Sequence, residues 1–136
     1  MEFEEKLKWL KSYRGSMEEM QDVSERIIWM RAQAERMSAQ LQAVPVGGAA
    51  GDRLQECVAK ICELEETYAA IACKNVKLLL EMEDVISKLE DAEQRTLIRR
   101  KYIDDDSFNA LADEMHYSLR HLKRKVKAAI QNLSVA

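Results

Sequence analysis

The chain has 136 residues with 47% hydrophobic and only 6% aromatic side chains, and it contains a single proline. This balance, with good helix formers dominant, is typical of an all-α protein. The net charge of −3 is unevenly distributed, since residues 1–91 hold 12 Lys+Arg and 18 Asp+Glu, whereas residues 92–136 hold 9 and 6. No apolar run approaches the roughly 18 residues of a membrane span, and no signal peptide is evident. We therefore expect a cytoplasmic protein without membrane contact.

Residues that could carry catalysis or bind a metal are few. The three cysteines Cys57, Cys62 and Cys73 form no CxxC pair, and both histidines lie far from them in the sequence. Zinc sites need closer ligand spacing, so we expect inert or buried thiols. We also find no Ser/His/Asp or Cys/His constellation and no glycine-rich phosphate loop. The sequence thus predicts neither an enzyme nor a cofactor, metal or small-molecule substrate.

A first long helix is predicted over about residues 2–43. Apolar residues recur there in two heptad lines, Met20, Ile27, Ala34, Leu41 and Val23, Met30, Met37, Val44. Gly15-Ser16 is its weak point, because Gly costs about 1 kcal/mol relative to Ala in a helix, and a bend is expected there. Pro45, Gly47, Gly48 and Gly51 then predict a loop.

A second long helix is predicted over about residues 52–90, with Asp52 as its N-cap and Gln55 three residues on, as in a capping box. Its apolar stripe comprises three lines: Leu54, Ile61, Tyr68, Asn75, Met82, Leu89; Cys57, Leu64, Ile71, Leu78, Val85; and Val58, Glu65, Ala72, Leu79, Ile86. The short loop makes the two helices an antiparallel, coiled-coil-like hairpin over residues 1–91. Because the stripe is wider than one neighbour covers, we expect the C-terminal domain or a second chain to cover the rest.

Four residues of the hairpin are candidates for an oligomer interface. Trp9, Ile28 and Trp29 lie beyond the main apolar lines and are predicted to make core or dimer contacts. Asn75 is the polar member of an otherwise mainly apolar line, either as a partly exposed or bridging side chain or as a device that sets register and oligomeric state. A homodimer joined through the hairpins is predicted.

The residues from 92 to 136 predict a small helix-turn-helix domain. Asp91 and Gln94 favour the start of a third helix that reaches about Ile103, although the second helix running straight on is an alternative. Asp104-Asp105-Asp106-Ser107 predicts a turn and an N-cap, in which capping and solvation are favoured over metal binding. A short helix follows, with Phe108, Leu111, Ala112 and Met115 on one face.

The last helix is predicted to begin after Ser118 as N-cap and to turn a basic face outward. Its inner face is predicted to hold Leu122, Val126, Ala129, Ile130 and Leu133, which leaves Arg120, His121, Lys123, Arg124 and Lys127 outside. In a recognition helix the N-terminal half enters the major groove. Arg120, His121 and Arg124 are therefore candidates for base edges, and Lys123 and Lys127 for phosphates. Ser118, at the start of the helix, is also a candidate DNA-binding residue. The alternative is a merely solvated charged face.

Residues 97–133 resemble region 4 of bacterial sigma factors, which binds promoter DNA. The resemblance rests on Tyr102-Ile103, the acidic turn, Phe108, Leu111-Ala112, Met115, Tyr117-Ser118 and a basic helix that ends in Ala129-Ile130 and Leu133. One departure is His116, which stands where such turns usually carry Gly; a left-handed His costs roughly 1 kcal/mol of strain.

The whole chain also resembles an uncharacterised phage and prophage family that combines a long hairpin with such a C-terminal end. The shared residues are Pro45, Gly47, Gly48, Asp52, Arg99-Arg100-Lys101-Tyr102-Ile103 and Tyr117-Ser118. Its layout is similar to that of phage late-gene transcription regulators of the RinA and ArpU kind. The resemblance implies a phage-encoded transcription regulator that binds double-stranded DNA in the cytoplasm of a bacterial host, and it leaves open whether RNA polymerase is a partner.

Two other functions remain open at the level of the sequence. Small terminase subunits, which package DNA, also combine a helix-turn-helix with long helices, but they assemble into rings. A coiled-coil adaptor without DNA binding would use only the hairpin to hold its partner.

Overall fold

The computed structural model describes residues 1–43 and 49–135, and within these residues all regular structure is helical. The helices are α1 (Phe3–Ala43), α2 (Ala49–Ser87), α3 (Ala92–Ile98), a π-helical segment (Arg99–Ile103), α4 (Phe108–Met115) and α5 (Leu119–Asn132). The predicted all-α fold with a long N-terminal helical hairpin is confirmed. In the part of the chain that the structure describes, none of the helices combines the length and hydropathy that a bilayer-crossing segment needs.

The start of α2 differs from its prediction. Gly51 was expected in the loop and Asp52 at the N-cap, and both expectations are wrong because α2 begins at Ala49. Asp52 instead lies in the first turn of the helix, where a carboxylate interacts favourably with the N-terminal helix dipole. The rest of the predicted loop, with Pro45, Gly47 and Gly48, lies outside the described residues, as does Val44. The first helix is continuous through Gly15.

One compact unit comprises residues 18–74. Within it, α1 and α2 run antiparallel and pack Val23 and Ile27 against Ile71. An ion pair joins Arg31 to Glu65, and both side chains are exposed. The three core side chains Val23, Ile27 and Ile71 remain 7–8% exposed.

The other compact unit comprises residues 1–17 and 75–136. Its core joins the first residues of α1 and the last residues of α2 to the C-terminal helices, and it includes the fully buried side chains Leu10, Met82, Ile86, Leu97, Ile98, Leu111, Leu122 and Ile130. The C-terminal helices therefore cover the apolar stripe of α2 in this unit. This is the first of the two predicted alternatives, coverage by the C-terminal domain or by a second chain. Packing divides the chain differently from the predicted boundary at 91/92, because the stripe of α2 continues into the core of the C-terminal helices.

Asn75 is buried in this unit, with 4% of its surface exposed. Of the two alternatives for an Asn75 side chain without an oligomeric role, partial exposure is excluded and bridging is observed. Its amide Nδ2 lies 3.3 Å from Sδ of Met17, so the side chain bridges α2 and α1 within one chain.

A break separates α2 from α3, which excludes one continuous helix. Asp91 is the N-cap of α3, as predicted, and its carboxylate accepts a hydrogen bond from the backbone N–H of Glu93. The helix then widens to π geometry, with the amide of Asp104 bonded to the carbonyl of Arg99 at 3.0 Å. The third helical stretch thus reaches Ile103, but its last turn is not α-helical.

Candidate nucleic-acid interface

The pair of helices α4 and α5 is held by two N-caps and one left-handed residue. Ser107 accepts a hydrogen bond from the amide of Ala110, and Ser118 accepts one from the amide of His121, each at 3.1 Å. Between the helices, His116 adopts φ 59° and ψ 37°, the left-handed conformation that favours Gly and is tolerated by His. The amide of Tyr117 then bonds to the carbonyl of Ala112 at 2.9 Å, which closes the turn.

The two faces of α5 divide as predicted. Leu122, Val126, Ala129, Ile130 and Leu133 are buried. Ala112 of α4 is also buried, and its small side chain allows α4 and α5 to approach closely. Because this face is fixed in the core, the opposite face of α5 has a fixed orientation. That opposite face carries the exposed side chains Arg120, His121, Lys123, Arg124 and Lys127.

Four cations of this face differ from the other cations of the C-terminal region. Among residues 92–135, Arg95, Arg99, Arg100, Lys101 and Lys125 each bond to a carboxylate or carbonyl oxygen of the chain. The side chains of Arg120, Lys123, Arg124 and Lys127 make no hydrogen bond or ion pair with another described residue. A charged face without internal counter-charges leaves its electrostatic field available to an anionic partner.

Lys125 is the basic residue of α5 that the chain uses for its own structure. Its Nζ lies 2.6 Å from Oε1 of Glu93, and the hydroxyl of Tyr117 donates to the other carboxylate oxygen at 3.0 Å. The hydrogen bond from Lys125 lowers the pKa of Glu93 below its usual range, and the same contact raises the pKa of Lys125. This triad fixes α5 against the N-terminal turn of α3.

His121 is also held by Tyr117, whose ring meets the imidazole edge-on with centroids 5.0 Å apart. The contact restrains the His121 side chain at the N-terminal end of the exposed face. A restrained ring loses less conformational entropy when it binds.

Two of the three carboxylates of the acidic turn pair with arginines. Asp105 pairs with Arg14 at 3.5 Å, and Asp106 accepts a hydrogen bond from Nε of Arg100 at 2.9 Å. Arg100 also pairs with Glu114 and holds the pKa of that carboxyl below its usual range. Within residues 1–43 and 49–135, no group of three or more His, Cys, Asp or Glu is arranged to hold a metal ion.

The predicted binding residues are therefore brought together on one face, except that the Ser118 hydroxyl is occupied as the N-cap of α5. Sequence reasoning missed Lys11 and Lys101, which lie beside Lys123 and Lys127 around one groove. Lys11 is more than 100 residues away in the chain, so no local pattern signals its place.

The predicted interface residues of the hairpin differ in exposure. Trp9 is half-buried against the core of residues 1–17 and 75–136. Ile28 and Trp29 are 65% and 61% exposed. Of the two predicted roles, core contact and dimer contact, the core contact is therefore excluded for both residues. Cys57 is buried, whereas Cys62 and Cys73 are exposed free thiols.

Fold and surface together define an all-α protein in which a helical hairpin carries a C-terminal pair of helices with one basic face. The chain belongs to the DUF1492 family, which is described as a protein of unknown function and whose model matches residues 36–134. No curated protein and no solved structure matches the chain.

Proposed function

We propose that the chain binds double-stranded DNA through the exposed face of α5. The observation that carries this proposal is the set of four cations, Arg120, Lys123, Arg124 and Lys127, that lack counter-charges among the described residues. A protein that neutralises phosphates with Lys and Arg releases counterions, and this supplies much of its affinity for DNA. A solvated face without a partner is the competing interpretation, and it predicts no such affinity.

The helix geometry supports an assignment of some residues of this face to bases and of others to phosphates. Arg120 and Arg124 are four residues apart and lie one turn from each other, beginning at the capped end of α5. We assign these two residues and His121 to base edges, since the N-terminal half of a recognition helix enters the major groove. Lys123 and Lys127, also one turn apart, are assigned to phosphates.

The resemblance to sigma region 4 and to phage regulators supports transcription control as the purpose of this binding. On this proposal the protein acts in the cytoplasm of a bacterial host, as a phage or prophage product and without enzymatic activity. A homodimer would present two basic helices to two half-sites. RNA polymerase as a further partner stays open.

The test is fluorescence anisotropy with labelled duplexes from the genome that encodes the chain, titrated with the protein at several salt concentrations. Arg120→Ala and Arg124→Ala should each weaken specific binding by about 1–3 kcal/mol. Lys123→Ala should weaken binding to all duplexes and reduce the slope of log K against log salt by about 0.9. Lys77→Ala removes an exposed lysine of α2 and is the matched control.

Two results would overturn the proposal. One is retention on DNA that does not respond to salt. The other is equal affinity for the wild type and an Arg120→Ala/Arg124→Ala variant. A light-scattering mass of an octamer or larger ring would instead favour the packaging alternative.

A further inference from the structure

A second groove lies beside the basic face, within the compact unit of residues 1–17 and 75–136. It is open to solvent, has a volume of about 390 Å³ and is bordered by the first turns of α1, the π-helical segment, the start of α4 and the inner edge of α5. Its floor is aromatic and aliphatic and includes Phe3 and Phe108. Four lysines line it, Lys11, Lys101, Lys123 and Lys127, and no acidic residue does.

Three of the four lysines lie over aromatic rings of the groove. Nζ of Lys101 lies 4.4 Å from the centroid of the Phe108 ring, and Nζ of Lys123 lies 5.6 Å from the same centroid. Nζ of Lys127 lies 5.6 Å from the centroid of Phe3. The groove therefore places several positive charges directly above aromatic faces, where an apolar ligand body and an anionic head group would both find complementary surface.

We propose that this groove binds a small organic anion with an apolar body, such as an aromatic or aliphatic carboxylate or sulfonate. The volume falls in the range of about 300–1,000 Å³ that is typical of small-molecule sites. It is too small to seat an amphipathic helix, which has a diameter of about 10–12 Å with its side chains. A bare inorganic anion would leave the apolar floor in contact with water.

Occupation of the groove is coupled to DNA binding, because Lys123 and Lys127 line it and also belong to the basic face of α5. An anion that neutralises these two lysines removes charge that DNA phosphates would use. The antagonism is reciprocal, since each ligand must weaken the other by the same factor. This coupling rests on the proposed function, whereas the binding of the organic anion does not.

The binding test uses two fluorescent probes with the same aromatic skeleton. One is 1-anilinonaphthalene-8-sulfonate, and the other is N-phenyl-1-naphthylamine, which lacks the sulfonate. The full-length wild type should bind the sulfonate saturably, and the neutral probe about tenfold more weakly. Lys11→Gln/Lys101→Gln should weaken the sulfonate about tenfold with only a small shift of the melting curve, because Lys101 also bonds to the carbonyl of Asp106. The control Lys77→Gln should have no effect. Equal affinity for both probes, or for the wild type and the double variant, would overturn the proposal.

A competition arm separates the two proposals. The sulfonate should raise the apparent Kd for duplex DNA, and DNA should displace the probe by the same factor. If both ligands bind without competition, the shared role of Lys123 and Lys127 is wrong. If the probe binds as described but no duplex binds, the proposed function fails and the organic-anion site stands.

Discussion

Glu93 and Lys125 meet at 2.6 Å across the C-terminal region, and the hydroxyl of Tyr117 bonds to the second oxygen of the same carboxylate. The contact joins residues that are 32 positions apart and ties α5 to the first turn of α3. It also removes one basic side chain from the face of α5 that we propose binds DNA. The anion it uses has a lowered pKa, which makes its contribution to stability dependent on pH.

Glu93→Gln should destabilise the protein at pH 7 and make less difference in acid. Because the hydrogen bond from Lys125 holds the pKa of Glu93 below its ordinary value of 4.5, the carboxylate stabilises the fold above that value. This stabilisation is lost as the pH falls through the lowered pKa of the folded state. Urea unfolding from pH 7 to pH 3 measures the difference between the wild type and the variant, which should shrink below about pH 4.5.

The matched control is Glu81→Gln, which removes an exposed carboxylate of α2 that has no ion-pair partner in the described part of the chain. It should change the unfolding free energy by no more than about 0.5 kcal/mol. A difference between wild type and Glu93→Gln that stays constant from pH 7 to pH 3 would contradict the assignment.

Leu10→Ala should destabilise the C-terminal helices although it lies in α1. Leu10 is fully buried in the core that also holds Leu122 and Ile130. Its truncation should cost about 2–5 kcal/mol, measured by urea unfolding, and should speed hydrogen exchange at the amides of α4 and α5. Leu80→Ala is the control, because the same change is made at a side chain that is 66% exposed. Unchanged exchange in α4 and α5 would mean that these helices fold without α1.

Sequence patterns predict the features that depend on residues close together in the chain, such as helix caps and the buried face of a helix. The caps at Asp91, Ser107 and Ser118 follow from side chains that bond two or three residues along the chain. The buried face of α5 follows from helical periodicity, since Val126 and Ile130 recur one turn apart.

Contacts between distant segments left no such signal. Nothing near Leu10 indicates that it joins the C-terminal core, and nothing near Lys125 singles it out from the other lysines of its helix. The change in the balance of charged residues predicts a boundary at 91/92. Packing instead follows the continuous apolar stripe of α2. The groove that contains Lys11 forms between α1 and α5, and these helices are far apart in the sequence.

His116→Gly should stabilise the protein. The residue adopts φ 59°, and left-handed backbone costs an L-residue with a side chain about 1–2 kcal/mol. Gly removes this strain but gains freedom in the unfolded chain, which offsets about 0.4–1 kcal/mol. The net gain should therefore lie between about 0 and 1.6 kcal/mol, and thermal or urea unfolding measures it.

The opposite change at the same position is the control. His116→Val places a β-branched residue in left-handed backbone and should destabilise the turn, so the expected order of stability is Gly, His, Val. Because His116 is exposed, lost packing contributes little to either change. A Val variant as stable as the Gly variant would show that the turn relaxes to another geometry.

Ile28→Lys/Trp29→Gln should abolish the predicted homodimer without unfolding the chain. Both side chains are large, apolar and more than half exposed, at 65% and 61%, so their burial in a dimer would remove apolar surface from water. Sedimentation should give a wild-type species of twice the 15.7 kDa chain mass and a monomeric variant. Leu80→Lys is the control, because it places the same charge at a 66% exposed apolar side chain outside the predicted interface, and it should stay dimeric. A wild type that sediments as a monomer at high concentration would exclude the dimer.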